Sequence, residues 1–91
     1  MIRQSLLVSN TLGLHARAAA KLVRLASHFS SEIRLSREGA NQQIDSKSIL
    51  GILMLAAKKG TRLVLTIEGR DEMEAVEAIR RLFESKFGEK N

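Results

Sequence analysis

The chain has 91 residues, of which 44% are hydrophobic, enough for a single small domain spanning residues 1–91. It contains no cysteine, which excludes disulfides and thiolate metal sites, and its two histidines lack metal-ligand spacing. We therefore expect no metal and no cofactor. Because neither a signal-peptide core nor an apolar run of roughly 20 residues is present, we expect a soluble cytoplasmic protein without a membrane partner.

The net charge is +5, from fifteen Lys and Arg against ten Asp and Glu, which favours an acidic partner. Nucleic-acid binding usually adds aromatic side chains on which bases stack, but the chain has no Trp or Tyr and only three Phe. The basic residues are also dispersed along the chain. We expect no nucleic-acid partner, and a small basic nucleic-acid-binding domain is the weaker alternative.

The first part of the chain predicts a strand, a loop and a helix. Ile2 to Val8 alternates as a strand does, and Ser9 to Gly13 has the composition of a turn. Ala16 to about His28 then predicts an amphipathic helix. The apolar positions of this helix recur at helical spacing at Ala19, Leu22, Val23 and Ala26.

The middle of the chain predicts a hairpin followed by a short apolar helix. Glu32 to Ser36 alternates, Arg37 to Asn41 is a loop with one glycine, and Gln42 to Asp45 is a short return strand. Ile49 to Leu55 is too apolar for an ordinary surface helix. Lys58-Lys59-Gly60 is the expected stop signal.

The last part predicts one more strand and one more helix. Arg62 to Glu68 alternates cleanly, and Asp71 with Glu74 resembles a capping box that starts a helix. The order β-α-β-β-α-β-α predicts an α+β fold, with an antiparallel or mixed four-stranded sheet covered on one face by helices. The expected inward face of the last helix consists of Met73, Val76, Ile79 and Phe83.

His15 is the strongest candidate for chemistry, because it stands where the loop stops and the first predicted helix starts. Unpaired N–H groups and the dipole at a helix N-terminus favour an anion and a neutral imidazole. A neutral imidazole can attack phosphorus. Arg17 opposes the dipole by roughly 0.3–1 kcal/mol, so it calls for a compensating anion such as phosphate. His28, at the far end of this helix, is interpreted as a surface residue without a role.

Three segments carry a family resemblance: Gly13-Leu14-His15-Ala16-Arg17, Lys47-Ser48-Ile49-Leu50-Gly51, and Lys59-Gly60. Together they resemble the HPr family, the histidine phosphocarriers of the bacterial phosphoenolpyruvate:sugar phosphotransferase system. The resemblance covers nearly the whole chain. It implies an open-faced β-sandwich, with a four-stranded antiparallel sheet covered on one face by three helices. Asn10 to Gly13 and the ending Phe87-Gly88-Glu89 look more like NPr, the carrier of the nitrogen-related branch, and the branch stays open.

The resemblance implies that His15 takes a phosphoryl group from phospho-enzyme I and passes it to an enzyme IIA domain, with Arg17 stabilising the group. Such a protein is a stoichiometric carrier and not an enzyme. Ser48 matches the serine that an HPr kinase phosphorylates in some bacteria. The alternative is a regulatory module of the same fold that acts through Ser48. In one departure, Ala18 stands where the family usually has proline.

We also expect a docking surface beside His15, because a short apolar helix cannot bury every side. The apolar side chains that we expect to be exposed there are Leu50, Leu53 and Met54. The basic side chains that we expect around them, steering acidic partners, are Arg17, Lys21, Arg24 and Lys47. A carrier of this size is expected to be a monomer.

Overall fold

The computed structural model describes residues 1–90 and contains one antiparallel sheet with helices on one face. The strands are β1 (Ile2–Leu7), β2 (Glu32–Arg37), β3 (Ile44–Asp45) and β4 (Arg62–Glu68); the helices are α1 (Ala16–Ala26), α2 (Ile49–Met54) and α3 (Glu72–Glu84). A 3-10 turn, Lys86–Gly88, follows α3. The strand order is β1-β4-β2-β3, and every neighbouring pair is antiparallel. The predicted α+β class and open-faced sandwich are confirmed.

The core lies between the sheet and the helices, because alternate residues of each strand face the same side. Leu65 of β4, which is fully buried, pairs with Gln4 of β1 and with Leu35 of β2. Its neighbours along β4, Val64 and Thr66, lie on the open face and are half-buried. A search of the helices in residues 1–90 finds no candidate for a membrane span. The buried positions of α1 are Ala18, Ala19, Leu22 and Ala26.

Several predicted boundaries differ from the observed ones, and β1, for example, ends at Leu7 and not at Val8. The return strand has only Ile44 and Asp45, because β3 pairs on one side only and the glutamines before it are exposed. Helix α1 ends at Ala26, two residues before His28. The N–H groups of His28 and Phe29 bond to the carbonyls of Leu25 and Ala26, so the chain leaves the helix through a tight turn.

The predicted capping box at the start of α3 was wrong. Asp71 occupies the N-cap position, but its side chain makes no hydrogen bond with its own helix. Glu72, and not Glu74, reaches back and accepts a hydrogen bond from the N–H of Gly69 at 3.1 Å. The prediction that Met73 faces inward was also wrong, because this side chain is 68% exposed.

The inward face of α3 is the stripe Ala75, Ile79 and Phe83, which are spaced four residues apart and buried. Met73 precedes Ala75 by two residues, which is about 200° around a helix of 3.6 residues per turn. It therefore lies on the far side. The inward positions predicted at Ile79 and Phe83 are confirmed, and Val76 is half-buried beside them.

The Asp71 carboxylate instead joins the start of α3 to the loop that follows α1. It accepts hydrogen bonds from the backbone N–H of Ser30 at 2.9 Å and of Ser31 at 3.0 Å, and from the Ser31 hydroxyl. These donors, the Ser31 hydroxyl foremost, lower the pKa of Asp71 to about 2. The carboxylate ties together two segments about 40 residues apart in sequence.

We predict a pH-dependent stability effect for Asp71→Asn. The pKa of Asp71 is lower in the folded chain than in the unfolded chain. Its stabilisation is therefore complete above about pH 4 and is lost as the pH falls toward 2. The variant should have a lower Tm than wild type at pH 7, with a difference that shrinks between pH 4 and 2. Thermal scans by circular dichroism measure this, with Glu38→Gln in the hairpin loop as control. A Tm difference that does not change with pH would contradict the assignment.

Candidate functional site

The loop before α1 can reach its position only because residue 13 is glycine. Gly13 has a φ of +66°, and its N–H donates to the carbonyl of Asn10 at 3.1 Å. A Cβ at this position would lie 2.5 Å from the carbonyl oxygen of Ala57. That same oxygen accepts from the N–H of Leu14 at 2.9 Å, and the Leu14 side chain is buried. These contacts deliver the next residue, His15, to the start of α1.

His15 is the N-cap of α1, with an extended backbone (φ −74°, ψ 177°), as the sequence predicts. Its carbonyl accepts the first helical hydrogen bond, from the N–H of Ala19 at 2.8 Å. The N–H groups of Ala16, Arg17 and Ala18 precede that bond and find no acceptor among residues 1–90. Unpaired donors and the positive end of the helix dipole thus meet beside the imidazole, where they favour an anion.

The imidazole is held from its other side by a carboxylate that the sequence analysis missed. His15 Nε2 lies 2.6 Å from Glu89 Oε2, and Glu89 Oε1 accepts from Asn10 Nδ2 at 3.0 Å. Asn10, fully buried, also donates to the carbonyl of Gly13 at 2.8 Å. The hydrogen bonds from His15 and then from Asn10 lower the pKa of Glu89. The sequence signalled Glu89 only through the resemblance of the chain's ending to NPr.

The segment that carries Glu89 is fixed by a left-handed turn. Lys86, Phe87 and Gly88 have φ values of 56°, 58° and 76°. The Phe87 ring is buried and packs on Phe83, with ring centroids 4.9 Å apart. Lys21 of α1 donates from Nζ to the carbonyl of Phe87 at 2.6 Å. The turn at residues 86–88 is thereby fastened to α1.

Arg17 is exposed in the first turn of α1, two residues after His15. It makes no salt bridge within residues 1–90. The predicted pair His15 and Arg17 is thus brought to one helix end, with a guanidinium that is not engaged by the chain. Arg17 lines a shallow recess together with Thr11, Leu12, Glu89 and Lys90.

The predicted ring of basic side chains is only partly as expected. Arg24 is exposed, like Arg17. The amino groups of Lys21 and Lys47, however, are engaged within the chain: Lys21 bonds to Phe87, and Lys47 donates to the carbonyl of Phe29 at 2.6 Å. A backbone carbonyl within reach of each amine explains the difference.

Helix α2 leaves its apolar residues exposed, as predicted. Ser48 is its N-cap, and the hydroxyl accepts from the N–H of Gly51 at 3.2 Å. Ile52 is fully buried, which turns the other large side chains outward. The exposed fractions are 66% for Leu50, 38% for Leu53 and 70% for Met54.

Comparison with known proteins decides the family. A family model for PTS-HPr, described as "PTS HPr component phosphorylation site", matches residues 2–85. The chain belongs to the HPr family. HPr proteins are phosphocarriers of the phosphotransferase system and not catalytic enzymes, so this HPr-family chain has a phosphocarrier role and interacts with enzymes of that system.

Individual HPr proteins match over the full length. The phosphocarrier protein HPr of Cupriavidus necator is 46% identical, with 98% of each chain covered. The crystal structure of HPr-C-His from Thermoanaerobacter tengcongensis has a TM-score of 0.93 and 43% identity, with 100% of each chain covered. A structure of an HPr dimer from the same organism has a TM-score of 0.76 and 48% identity, covering 85% of this chain and 86% of that one.

We predict that Gly13→Ala is much more destabilising than Gly39→Ala. Both glycines have positive φ, but a Cβ at Gly39 meets nothing within 4 Å, whereas at Gly13 it meets Ala57. The control Gly39→Ala therefore measures only the free-energy cost of a positive φ at alanine. The difference between the two variants measures the overlap of the Cβ with Ala57. We expect the free energy of unfolding of Gly13→Ala to be lower than that of Gly39→Ala by about 1–3 kcal/mol in urea titrations. Equal values would show that the approach to Ala57 is not restrictive.

Proposed function

We propose that His15 is the residue that carries the phosphoryl group, taking it from phospho-enzyme I and passing it to an enzyme IIA domain. The observation that carries this proposal is that the two ring nitrogens of His15 have different hydrogen-bond environments. Nε2 is engaged by Glu89, while Nδ1 makes no hydrogen bond within residues 1–90. Since Nδ1 is bonded directly to Cγ, it is the ring nitrogen nearer the backbone and the unpaired N–H groups of the first turn.

The proposed chemistry needs neither a metal nor a base. A neutral imidazole already holds a lone pair on Nδ1, which attacks phosphorus directly. The phosphoryl oxygens are then held by the first-turn N–H groups and by Arg17, whose planar guanidinium suits phosphate. Ala18, at the position where the family usually has proline, contributes an N–H that proline lacks.

We propose that the partners dock on the exposed apolar side chains of α2, Leu50, Leu53 and Met54. An apolar centre flanked by cations suits a carrier that binds several acidic partners in turn. Arg17 and Arg24 are the exposed cations of this surface. The sugar or nitrogen branch, a monomeric state, a cytoplasmic location and one domain over residues 1–91 stay predictions.

A regulatory role for Ser48 also stays a prediction. Its hydroxyl caps α2 and is half-buried against Gly51. A phosphate there would place about −2 charge beside the exposed apolar residues of α2, which would oppose docking of an acidic partner. The alternative of a module that acts only through Ser48 leaves the arrangement of His15, Arg17 and Glu89 without a purpose.

We predict that phosphorylation depends on His15 alone. Wild type, His15→Ala and the matched control His28→Ala are each incubated with phosphoenolpyruvate, Mg²⁺ and enzyme I, and their intact masses are recorded. Wild type and His28→Ala should gain one acid-labile phosphoryl group, and His15→Ala should gain none while keeping its circular dichroism spectrum. Labelling of His15→Ala, or loss of labelling in His28→Ala, would refute the assignment of His15 as the phosphorylated residue.

A further inference from the structure

We propose that Glu89 is a positioning residue for phosphoryl transfer: its carboxylate keeps the proton of His15 on Nε2 and stabilises the positive charge that the ring gains when Nδ1 accepts the phosphoryl group. This inference rests on the proposed role of His15. It gives Glu89, which follows α3, a role in the chemistry of a site at the start of α1.

The contact determines which ring nitrogen is nucleophilic. An ionised carboxylate only accepts hydrogen bonds, so Nε2, 2.6 Å from Glu89, is the donor and the lone pair lies on Nδ1. The Glu89 side chain is only 15% exposed, which strengthens its interaction with the ring. Asn10 holds the second carboxylate oxygen.

Asn10 is itself held in one orientation. Its Nδ2 donates both to the carbonyl of Gly13 at 2.8 Å and to Glu89 Oε1 at 3.0 Å. One buried amide group therefore connects the loop before α1 to the Glu89 carboxylate and fixes the carboxylate beside His15.

The backbone before Glu89 supplies a second, independent observation. Lys86 and Phe87 have left-handed conformations that are unfavourable for residues with a side chain. Such a turn persists only where surrounding contacts enforce it, and strained backbone of this kind is concentrated at functional sites. Here the buried Phe87 ring and the bond from Lys21 enforce it. The turn brings the chain back to the N-terminus of α1, so Glu89 reaches His15 from a preorganised segment.

Phosphorylation makes the His15 ring cationic, and the Glu89 carboxylate stabilises this positive charge. The lone pair of Nδ1 attacks phosphorus, an N–P bond forms, the bond from phosphorus to the donor breaks, and its electron pair leaves with the donor. The proton stays on Nε2, so the ring becomes cationic and its bond to Glu89 becomes an ion pair. Because the N–H bond at Nε2 and the N–P bond at Nδ1 point away from the ring in different directions, the carboxylate faces the N–H group of the cation and not the phosphoryl oxygens.

The first test is the tautomer of unphosphorylated His15. In ¹⁵N-histidine-labelled protein at about pH 8, long-range ¹H–¹⁵N spectra should show wild-type His15 with its proton on Nε2 only. In Glu89→Gln, the amide can either accept or donate, so both tautomers of His15 should appear. The matched control Glu84→Gln, on the exposed end of α3, should give the wild-type spectrum. An unchanged His15 spectrum in Glu89→Gln would overturn the proposal.

The second test is the equilibrium of phosphoryl transfer with enzyme I. Losing the charge on the acceptor of the Nε2 hydrogen bond should lower the equilibrium constant about tenfold in Glu89→Gln. Glu84→Gln should match wild type, and Glu89→Asp, which restores the charge on a shorter side chain, should recover part of the loss. Equal constants for Glu89→Gln and wild type would overturn the proposal even if the tautomers changed. Failure of wild type to be phosphorylated on His15 would instead refute the proposed function, while the tautomer result stood.

Discussion

The close packing of Gly13 against the carbonyl of Ala57 is the constraint on which the site depends. It joins the loop before α1 to the loop after α2, and the bond from Leu14 to the same carbonyl fixes where α1 begins. One residue later the chain enters the helix at His15. Backbone geometry at this buried junction thus sets where His15 stands at the start of α1, and the contact with Glu89 then holds its ring.

Local patterns were sufficient for the elements and for part of the site. Strict alternation in β4 predicted the inward residues around Leu65, and the change to helical spacing predicted His15 at a helix start. Contacts between distant segments could not be predicted in this way. Asp71 and Glu74 have the spacing of a local cap, but the Asp71 carboxylate accepts hydrogen bonds from the loop at Ser31 and none from its own helix. Glu89 reaches His15 across 74 residues, through a turn that no periodicity describes.

The two ring nitrogens of His15 face surroundings that favour opposite charges. The unpaired N–H groups of the first turn lie at the helix end beside the ring and suit an anion, and Arg17 is exposed in the same turn. On the other side lies the Glu89 carboxylate, which suits a cation. A phosphorylated ring carries both charges at once. The exposed apolar residues of α2 add a surface for brief protein contacts, which agrees with the phosphocarrier role of the HPr family.

Phosphoryl transfer as proposed places phosphorus on Nδ1 of His15 while the proton stays on Nε2. The ¹⁵N–³¹P coupling in ¹⁵N-histidine-labelled protein phosphorylated through enzyme I measures which nitrogen carries phosphorus. We expect a single coupled nitrogen, Nδ1 of His15, with a proton retained on Nε2. Coupling to Nε2, or to either nitrogen of His28, would contradict it.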